Sequence, residues 1–453
     1  MMIDKKSDYV VAIDVGTTKT VALLGKRSDN NKIEVLGFVR ADSKGVRRGE
    51  VLNPEEVSTV IRYIINELQT LTGFKFSEVF VGITGEHIRM VKDRKGFNRP
   101  VYDESITVDE IEKLKNEAGN IALGEGKKIL HILPQSYIVD NEMDISNPVG
   151  MFGRRIEANF DIVVASMDSI KRIEKTFSIA NLQIRDLILQ PLASAVAVLD
   201  DEELEGGVAL IDIGGGTTDI AVFYNRKLRH SAVFPYGGNV ITKDIKECCK
   251  INEQQAEELK VQFGAALSDA VDENKDVLIP VHKRKPKEVS IRNLAGIIQA
   301  RMEEIIEGVM FEIENSGYAH KLCYGIVLTG GGAKLNFIDD LFSLRTGMDV
   351  RIGLPDTHLT GDSEKINDPC FATGVGLLIK GFEYKNENCE EPDFEEPEVD
   401  NIIKTVEPVN PVKPAKTREN KGIEKTLKTT IGKAKKALKI YFEDTEVEKS
   451  LMD

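Results

Sequence analysis

Two short segments, one near the N-terminus and one in the middle of the chain, combine a carboxylate with glycines and threonines. The first contains Asp14, Gly16, Thr17, Thr18 and Lys19, and the second contains Asp212, Gly214, Gly215, Gly216, Thr217 and Thr218. Glycine lets a backbone approach a ligand closely, while consecutive turn amides and threonine hydroxyls donate hydrogen bonds to anions. Each segment is therefore a candidate phosphate-binding loop.

The two aspartates would repel a phosphate unless a divalent cation lay between them and the ligand. Mg²⁺ prefers oxygen ligands and retains several of its waters. We therefore expect Asp14 and Asp212 to bind a hydrated Mg²⁺, chiefly through those waters. Two ordinary hairpins with Asp-containing turns are the alternative for either segment alone, but the same order of residues in both favours a duplicated clamp around one ligand.

Apolar runs flank each segment, and this pattern predicts a β-hairpin with the polar residues in its turn. A third cluster, Gly330, Gly331, Gly332 and Ala333, follows the apolar run 324–329 and precedes an amphipathic helix predicted from about Leu335. A strand, a glycine turn and a helix in this order are typical of backbone that lies against a nucleotide.

Composition narrows the classes of protein to consider. With 453 residues, 41% hydrophobic and 30% charged, the chain should form more than one globular domain. Its net charge of −14 argues against a nucleic-acid partner. The five cysteines and six histidines show no metal-ligand spacing, which suits a reducing cytoplasm. We also find no signal-peptide pattern and no apolar run of the roughly 18 residues that a membrane span requires.

The C-terminal part changes character. Residues 386–422 are acidic and proline-rich and are predicted to be a disordered linker. A helix is predicted over 423–442, followed by an acidic tail over 443–453. Its apolar stripe comprises Ile423, Leu427, Ile431, Leu438 and Phe442, and its basic side includes Lys428, Lys435 and Lys436. Such a helix is suited to an anionic lipid surface; docking on a protein is the alternative.

The three glycine-containing segments together resemble the actin-like ATPase superfamily. Within it the chain is similar to the FtsA family, bacterial proteins that tether the FtsZ division ring to the membrane. Further segments carry this resemblance: 44–51, 189–194, 235–239 and 256–260. The resemblance covers roughly residues 9–385 and the extreme C-terminus.

The resemblance implies ATP and Mg²⁺ as ligands and assigns roles to individual residues. Gly16 to Lys19 and Gly214 to Thr218 match the two phosphate loops, with Asp14 and Asp212 at the metal. Gly237, Gly238, Asn239, Glu257 and Lys260 match nucleotide-contacting positions, the last two at the ribose and base. Gly330 to Ala333 match the adenosine loop. Gln190 matches the position that orients the attacking water, and a glutamine polarises water less than a carboxylate, so only weak hydrolysis is expected.

The expected fold is α/β: a duplicated actin-like (ribonuclease H-like) ATPase with two inserted subdomains and a C-terminal amphipathic helix. The first half comprises 1–86 and 166–205, and the second comprises 206–237 and 320–385. The insert 87–165 is expected to make contacts between protomers. The insert 238–319 is expected to contact the ribose and base and to bind FtsZ.

The resemblance implies a peripheral protein on the cytoplasmic face of the inner membrane at the division site. Its expected partners are the C-terminal peptide of FtsZ, further copies of itself in filaments, anionic lipids and other division proteins. Nucleotide would act mainly as a conformational ligand. A sugar or acetate kinase remains an alternative, although no further aspartate base is evident. A pilus-assembly relative is a second alternative. A heat-shock chaperone would need a large additional domain after the ATPase.

Overall fold

The structure is a computed structural model, and it describes residues 9–28, 32–100, 102–272, 275–280, 286–360 and 365–388. The predicted membrane helix 423–442, the acidic tail 443–453 and most of the predicted linker lie outside the described residues. The last described helix continues to Asn388. Residues 386–388, assigned to the linker from composition, are therefore helical, because composition does not mark where a helix ends.

The elements of the N-terminal part are, in chain order, β1 (Tyr9–Val15), β2 (Lys19–Arg27), β3 (Ile33–Asp42), β4 (Val46–Arg47), β5 (Glu50–Val51), α1 (Pro54–Thr72), β6 (Glu78–Ile83), β7 (Arg89–Asn98), α2 (Val108–Ala118), β8 (Lys127–Val139), β9 (Glu142–Ile145), β10 (Arg155–Ser166), α3 (Met167–Ile179), β11 (Gln183–Leu189) and α4 (Gln190–Val198). The remainder comprises α5 (Asp201–Gly206), β12 (Val208–Ile213), β13 (Thr218–Tyr224), β14 (Lys227–Phe234), α6 (Gly238–Cys249), α7 (Glu253–Phe263), β15 (Asp276–Ile279), β16 (Lys287–Ser290), α8 (Ile291–Asn315), β17 (Ile326–Thr329), α9 (Ile338–Thr346), β18 (Val350–Ile352), β19 (Leu359–Thr360) and α10 (Ala372–Asn388).

Two sheets share one topology. In the first, the strand order is β11-β6-β1-β2-β3-β19, and in the second it is β14-β13-β12-β17-β18. In both, three antiparallel strands are followed by strands that join in parallel on the other side of the first strand. The order β3-β2-β1-β6-β11 thus recurs as β14-β13-β12-β17-β18. This repetition confirms the predicted duplicated α/β fold.

The central strands of both sheets are buried because helices cover them. All seven residues of β1 are buried, which is typical of a strand packed on both faces. Helix α1 covers the first sheet with the stripe Val57, Ile61, Ile64 and Leu68. Asn53 caps its first amides, and Gly73 ends it in a left-handed conformation.

Each predicted insert forms a unit with its own elements. The segment spanning β7 to β10 is a four-stranded antiparallel sheet in the order β7-β10-β8-β9. Helix α2 packs against it and begins with the predicted capping box of Thr107 and Glu110. The segment after β14 contains α6, α7, the hairpin β15–β16 and the long helix α8. Among the described helices, none is long and apolar enough to cross a membrane.

Helices α4 and α10 cross at very short distance between the two sheets. A Cβ atom built on Gly376 of α10 would lie 1.7 Å from the carbonyl oxygen of Ala193 in α4. Only glycine allows this approach. Because Gln190 begins α4 and Thr373 lies in the first turn of α10, this contact fixes the position of both side chains.

Candidate functional site

The two predicted loops are four-residue hairpin turns of the same geometry. The Gly16 amide donates to the Lys19 carbonyl at 3.0 Å, and the Gly214 amide donates to the Thr217 carbonyl at 2.9 Å. Strand register places Val15 opposite Thr20 and Ile213 opposite Thr218. Thr218 is therefore the counterpart of Thr20. Thr17 and Thr18 of the first turn correspond by register to Gly215 and Gly216 of the second.

The turns lie against each other. A Cβ atom at Gly215 would be 1.8 Å from Thr18 Oγ1, and one at Gly216 would be 2.5 Å from Thr17 Oγ1. Thr18 Oγ1 donates to Asn239 Oδ1 at 3.2 Å. Positions 215 and 216 therefore require glycine, because any larger residue there would collide with Thr18 or Thr17. The two turns are therefore in direct contact, and residues of both loops belong to one candidate site, called the cleft below.

Three aspartates lie together in this cleft, the buried Asp14 and Asp219 and the partly buried Asp212, and each accepts a hydrogen bond from a residue distant in sequence. Gln190 Nε2 donates to Asp14 at 2.9 Å. Thr84 Oγ1 donates to Asp219 at 2.7 Å. Asp212 Oδ2 accepts from two hydroxyls at 3.2 Å each, those of Ser194 and Thr373. The structure therefore brings the predicted Asp14, Asp212 and Gln190 into one site.

Asp219 also belongs to this site, although it was not predicted from the sequence. It lies directly opposite Asp212 in the β12–β13 register. A four-residue turn after Ile213 already implies this pairing, so the hairpin pattern contained the signal. Asp219 joins Asp14 and Asp212 as the third carboxylate of the site.

The electrostatics of the three carboxylates suit a divalent cation. Burial raises the pKa of Asp14 to about 6, while the charge of Lys19 opposes this shift. Burial and the neighbouring Asp212 raise the pKa of Asp219 to about 8, and burial also raises the pKa of Asp212. A cation in the cleft would favour the ionised forms.

Lys19 supplies the positive charge already present in this cleft. Its ammonium donates to the Cys370 carbonyl at 2.5 Å and lies 5.6 Å from the centre of the Phe371 ring. Within the described part of the chain, no group of three or more His, Cys, Asp and Glu side chains could hold a metal ion.

Gly237, Gly238 and Asn239 connect the second loop to α6. The Gly238 and Asn239 amides donate to the carbonyls of Gly214 and Gly215 at 2.9 and 2.8 Å. A Cβ atom on Gly237 would lie 2.5 Å from the Gly214 carbonyl oxygen. These residues hold the loop in place, and two of the three amides are already used for this purpose.

The two residues predicted to contact the ribose and base, Glu257 and Lys260, differ in how free their side chains are to bind a ligand. Lys260 Nζ donates to the Gly238 carbonyl at 2.9 Å, to Thr242 Oγ1 at 2.8 Å and to Glu257 Oε2 at 2.7 Å. These three bonds use every proton of its ammonium group. Lys260 would have to exchange one of them to bind a ribose, whereas the Glu257 side chain remains partly exposed.

The third glycine cluster lies beside the second loop because β12 and β17 are parallel, with Asp212 next to Thr329. Gly330 has φ of 82°, and a Cβ atom there would lie 2.2 Å from Asp212 Oδ1. A 3₁₀ turn over Gly331–Lys334 follows. Helix α9 consequently begins at Ile338, later than the predicted start near Leu335.

Comparison with known proteins identifies the family. A sequence model described as "Cell division protein FtsA" matches residues 209–376, and one described as "SHS2 domain inserted in FTSA" matches residues 85–164. The cell division protein FtsA of Pseudomonas aeruginosa is 35% identical over 379 residues, which cover 83% of this chain and 90% of that protein. The chain belongs to the FtsA family of cell division proteins.

Solved structures agree with an actin-like fold for this FtsA family member. The PilM-PilN type IV pilus biogenesis complex aligns with a TM-score of 0.59 at 15% identity, covering 82% of this chain and 98% of that chain. MreB 5 of Spiroplasma citri bound to AMPPNP aligns with a TM-score of 0.50 at 16% identity, covering 84% and 99%. At these identities the likeness concerns the fold. Membership of the FtsA family sets aside the kinase, chaperone and pilus alternatives.

The raised pKa values predict how stability depends on pH in the absence of ligand. Asp219 has a folded pKa of about 8 against an ordinary value of 3.8. Its contribution is fully present below the ordinary value and is lost as pH rises through about 8. We expect the melting temperature of the nucleotide-free, metal-free protein to fall between about pH 5 and pH 8.

The matched variants for this pH dependence are Asp219→Asn, which retains an oxygen acceptor for Thr84, and Asp349→Asn on the exposed surface. Thermal unfolding across this pH range should give a flatter profile for Asp219→Asn and an unchanged profile for Asp349→Asn. An identical slope in wild type and Asp219→Asn would contradict the assignment of the titration to this carboxylate.

Proposed function

We propose that this FtsA family member binds Mg²⁺-ATP in the cleft, assembles into filaments and connects FtsZ to the cytoplasmic face of the cell membrane at the division site. The observation that supports nucleotide binding is the pair of contacting turns beside the clustered carboxylates of Asp14, Asp212 and Asp219. MreB 5 of Spiroplasma citri, which shares the fold, was solved with AMPPNP. Attachment to the membrane would use the predicted amphipathic helix 423–442.

In this proposal, the amides of the two turns and the Lys19 ammonium bind the phosphates. Asp14 and Asp212, with Asp219 beside them, hold the waters of Mg²⁺, which neutralises phosphate charge when bound. Gln190 already donates its amide to Asp14, so its carbonyl oxygen is the atom that can orient a water. Glu257 and the turn from Gly330 to Ala333 contact the ribose and base. Nucleotide then acts mainly by closing the cleft.

A groove between α6 and α8 supports FtsZ binding by the second insert. Its cavity volume is ≈ 720 Å³, which lies within the range of about 300 to 1,000 Å³ typical of ligand pockets. Gly296, Ile297 and Ala300 line it together with the charged Arg292, Arg301, Asp244, Glu247 and Glu304. An apolar floor with a charged rim suits a peptide that carries both apolar and charged side chains.

Ile297 lies at the margin of the apolar stripe of α8. Helical spacing groups it with Leu294, Ile298, Met302 and Ile305, and those four are buried. Ile297 is only partly buried, packs against the same core and also lines the groove. It therefore offers an apolar side chain to a bound peptide.

Self-association is assigned to the first insert. Met143 and Phe152 of this subdomain are 74% and 65% exposed. Large apolar side chains exposed to this degree often mark contacts with another protein. Their position in the insert supports the expected role of residues 87–165 in contacts between protomers.

Co-sedimentation with anionic liposomes tests the proposal. The full chain should carry FtsZ from the same organism into the pellet. Deleting residues 423–453 should leave both proteins in the supernatant, because the lysine-rich helix is lost. Gly296→Phe should sediment by itself but carry roughly tenfold less FtsZ, a loss of about 1.4 kcal/mol of binding energy, because its side chain fills the groove.

Gly296→Ala is the matched control for the groove. Nothing lies within 4 Å of a Cβ atom built at this position, so neither substitution should disturb the fold. The alanine variant should carry FtsZ as the wild type does. Undiminished FtsZ with Gly296→Phe would refute the groove, unchanged sedimentation of the deletion variant would refute the membrane helix, and failure of the full chain to bind FtsZ would refute the adaptor function.

A further inference from the structure

Strand β8 of the first insert contacts an outermost strand of each central sheet. His131 Nε2 accepts a hydrogen bond from the Leu189 amide, the last residue of β11, at 3.0 Å. Four residues later, Gln135 Nε2 donates to the Leu228 carbonyl of β14 at 3.1 Å. Strands β11 and β14 are the terminal strands of their sheets. One strand of the insert therefore connects the two actin-like halves.

A β-bulge directs Gln135 towards the second half. Asn159 of β10 pairs with Ser136, and the next residue, Phe160, pairs with Pro134, so Gln135 has no partner in the ladder. Bulges re-aim a side chain and interrupt pairing at a defined place. The displaced residue also accepts from Arg229 Nη1 at 3.1 Å and from Lys227 Nζ at 2.8 Å, the latter through its carbonyl. We call these bonds to residues 227–229 the β8–β14 contact.

The β8–β14 contact is polar and buried. Gln135 is 8% exposed, and Asp161 of β10 is 4% exposed. Burial raises the pKa of Asp161, while the charges of Lys92 and Arg229 oppose the shift. Burial, followed by the charge of Arg229, lowers the pKa of Lys227. Interfaces of this polar kind resemble transient ones and permit relative motion more readily than large apolar cores do.

The other attachment lies next to the cleft. Leu189, which donates to His131, immediately precedes Gln190, whose amide donates to Asp14. A shift of the β11–α4 junction would therefore move β8 at His131. A shift of the second half would move the same strand at Gln135. Any change in the angle between the halves must either strain the insert or break the β8–β14 contact.

We propose that the β8–β14 contact, centred on Gln135, transmits cleft closure to the first insert and so couples nucleotide binding to the subdomain assigned to self-association. The identity of the ligand and the role of the first insert in self-association rest on the proposed function, whereas the β8–β14 contact does not. Because coupling between two sites is reciprocal, breaking this contact should also change how self-association affects nucleotide affinity.

Hydrogen exchange of the full chain tests the contact without ligand. Gln135→Leu removes the side-chain bonds and retains most of the volume. We expect amides in both 127–139 and 227–234 to exchange at least about fivefold faster, as local opening becomes easier. Ser136→Ala is the matched control, because Ser136 bonds only to Asn159 inside the inserted sheet; it should leave 227–234 unchanged. Lys227→Met provides a second test from the opposite side if Gln135→Leu does not fold.

The same measurement with Mg²⁺-AMPPNP tests transmission. In the wild type, protection should rise at the two cleft loops and also in 127–139. In Gln135→Leu, protection should rise at the loops alone. Unchanged exchange of 227–234 in ligand-free Gln135→Leu and Lys227→Met would overturn the contact, and loop protection without any change in 127–139 of the wild type would overturn transmission. Absence of protection at the loops would instead refute the nucleotide site, while the ligand-free comparison would still decide the contact.

Discussion

Asp212→Asn should weaken Mg²⁺-ATP binding roughly 100-fold, a loss of about 2.7 kcal/mol, without destabilising the ligand-free protein. The asparagine retains an oxygen acceptor for Ser194 and Thr373, so the local hydrogen bonds persist. It removes the Asp212 charge, which, together with burial as the larger cause, raises the pKa of Asp14 and Asp219. The ligand-free fold should therefore be as stable as the wild type or slightly more stable. Affinity and stability change in opposite directions because the Asp212 charge favours binding of Mg²⁺-ATP and does not stabilise the ligand-free fold.

Titration with a fluorescent ATP analogue, with and without Mg²⁺, measures the first effect, and thermal unfolding of the ligand-free protein measures the second. Asp349→Asn is the matched control, because Asp349 is exposed. The defect should be large in Mg²⁺ and small in its absence. An equal loss under both conditions would show that Asp212 does not act through the metal, and an affinity within about threefold of wild type would refute its place in the site.

Local pattern was sufficient to predict the parts of the site that depend on backbone conformation. Both hairpin turns and the glycine cluster after β17 were predicted because glycines and apolar alternation act over a few residues. The duplicated fold followed from the repetition of these patterns. Gln190 was assigned to the site by family resemblance alone, because no local pattern in the sequence indicates that it lies close to Asp14.

The hydrogen-bond partners of the carboxylates could not be predicted in this way. Thr84, Ser194 and Thr373 are single hydroxyl residues in unremarkable local sequence, and they reach Asp219 and Asp212 only through the packing of helices and strands. Lys260 shows the converse case. Its position near the ribose site was predicted by resemblance, but the bonds that occupy its ammonium depend on how α7 packs against α6.

The residues around the cleft therefore depend on one helix crossing. Gln190 and Ser194 lie on α4, and Thr373 lies on α10. The two helices approach most closely where Gly376 meets Ala193. If the helices separate there, the donors to Asp14 and Asp212 should move together. Packing at this crossing thus links the stability of the fold to the geometry of the proposed metal site.

Gly376→Ala should lower the free energy of unfolding by about 3 kcal/mol, the upper range for overpacking, although alanine is intrinsically the better helix former. The added methyl group would lie 1.7 Å from the Ala193 carbonyl oxygen, and a backbone atom cannot rotate away as a side chain can. Gly296→Ala in α8 is the matched substitution. Because it meets open space, it should stabilise the protein by up to about 1 kcal/mol.

Denaturant unfolding of both variants measures these opposite changes in the free energy of unfolding. Nucleotide titration under native conditions measures the effect on nucleotide affinity. Gly376→Ala should also bind Mg²⁺-ATP more weakly, since Gln190 and Thr373 are displaced, whereas Gly296→Ala should bind normally. Reduced stability with unaltered nucleotide affinity would mean that the helices yield elsewhere and that the crossing does not position the site. Stabilisation by both alanines would mean that the close approach of α4 and α10 is not maintained in solution.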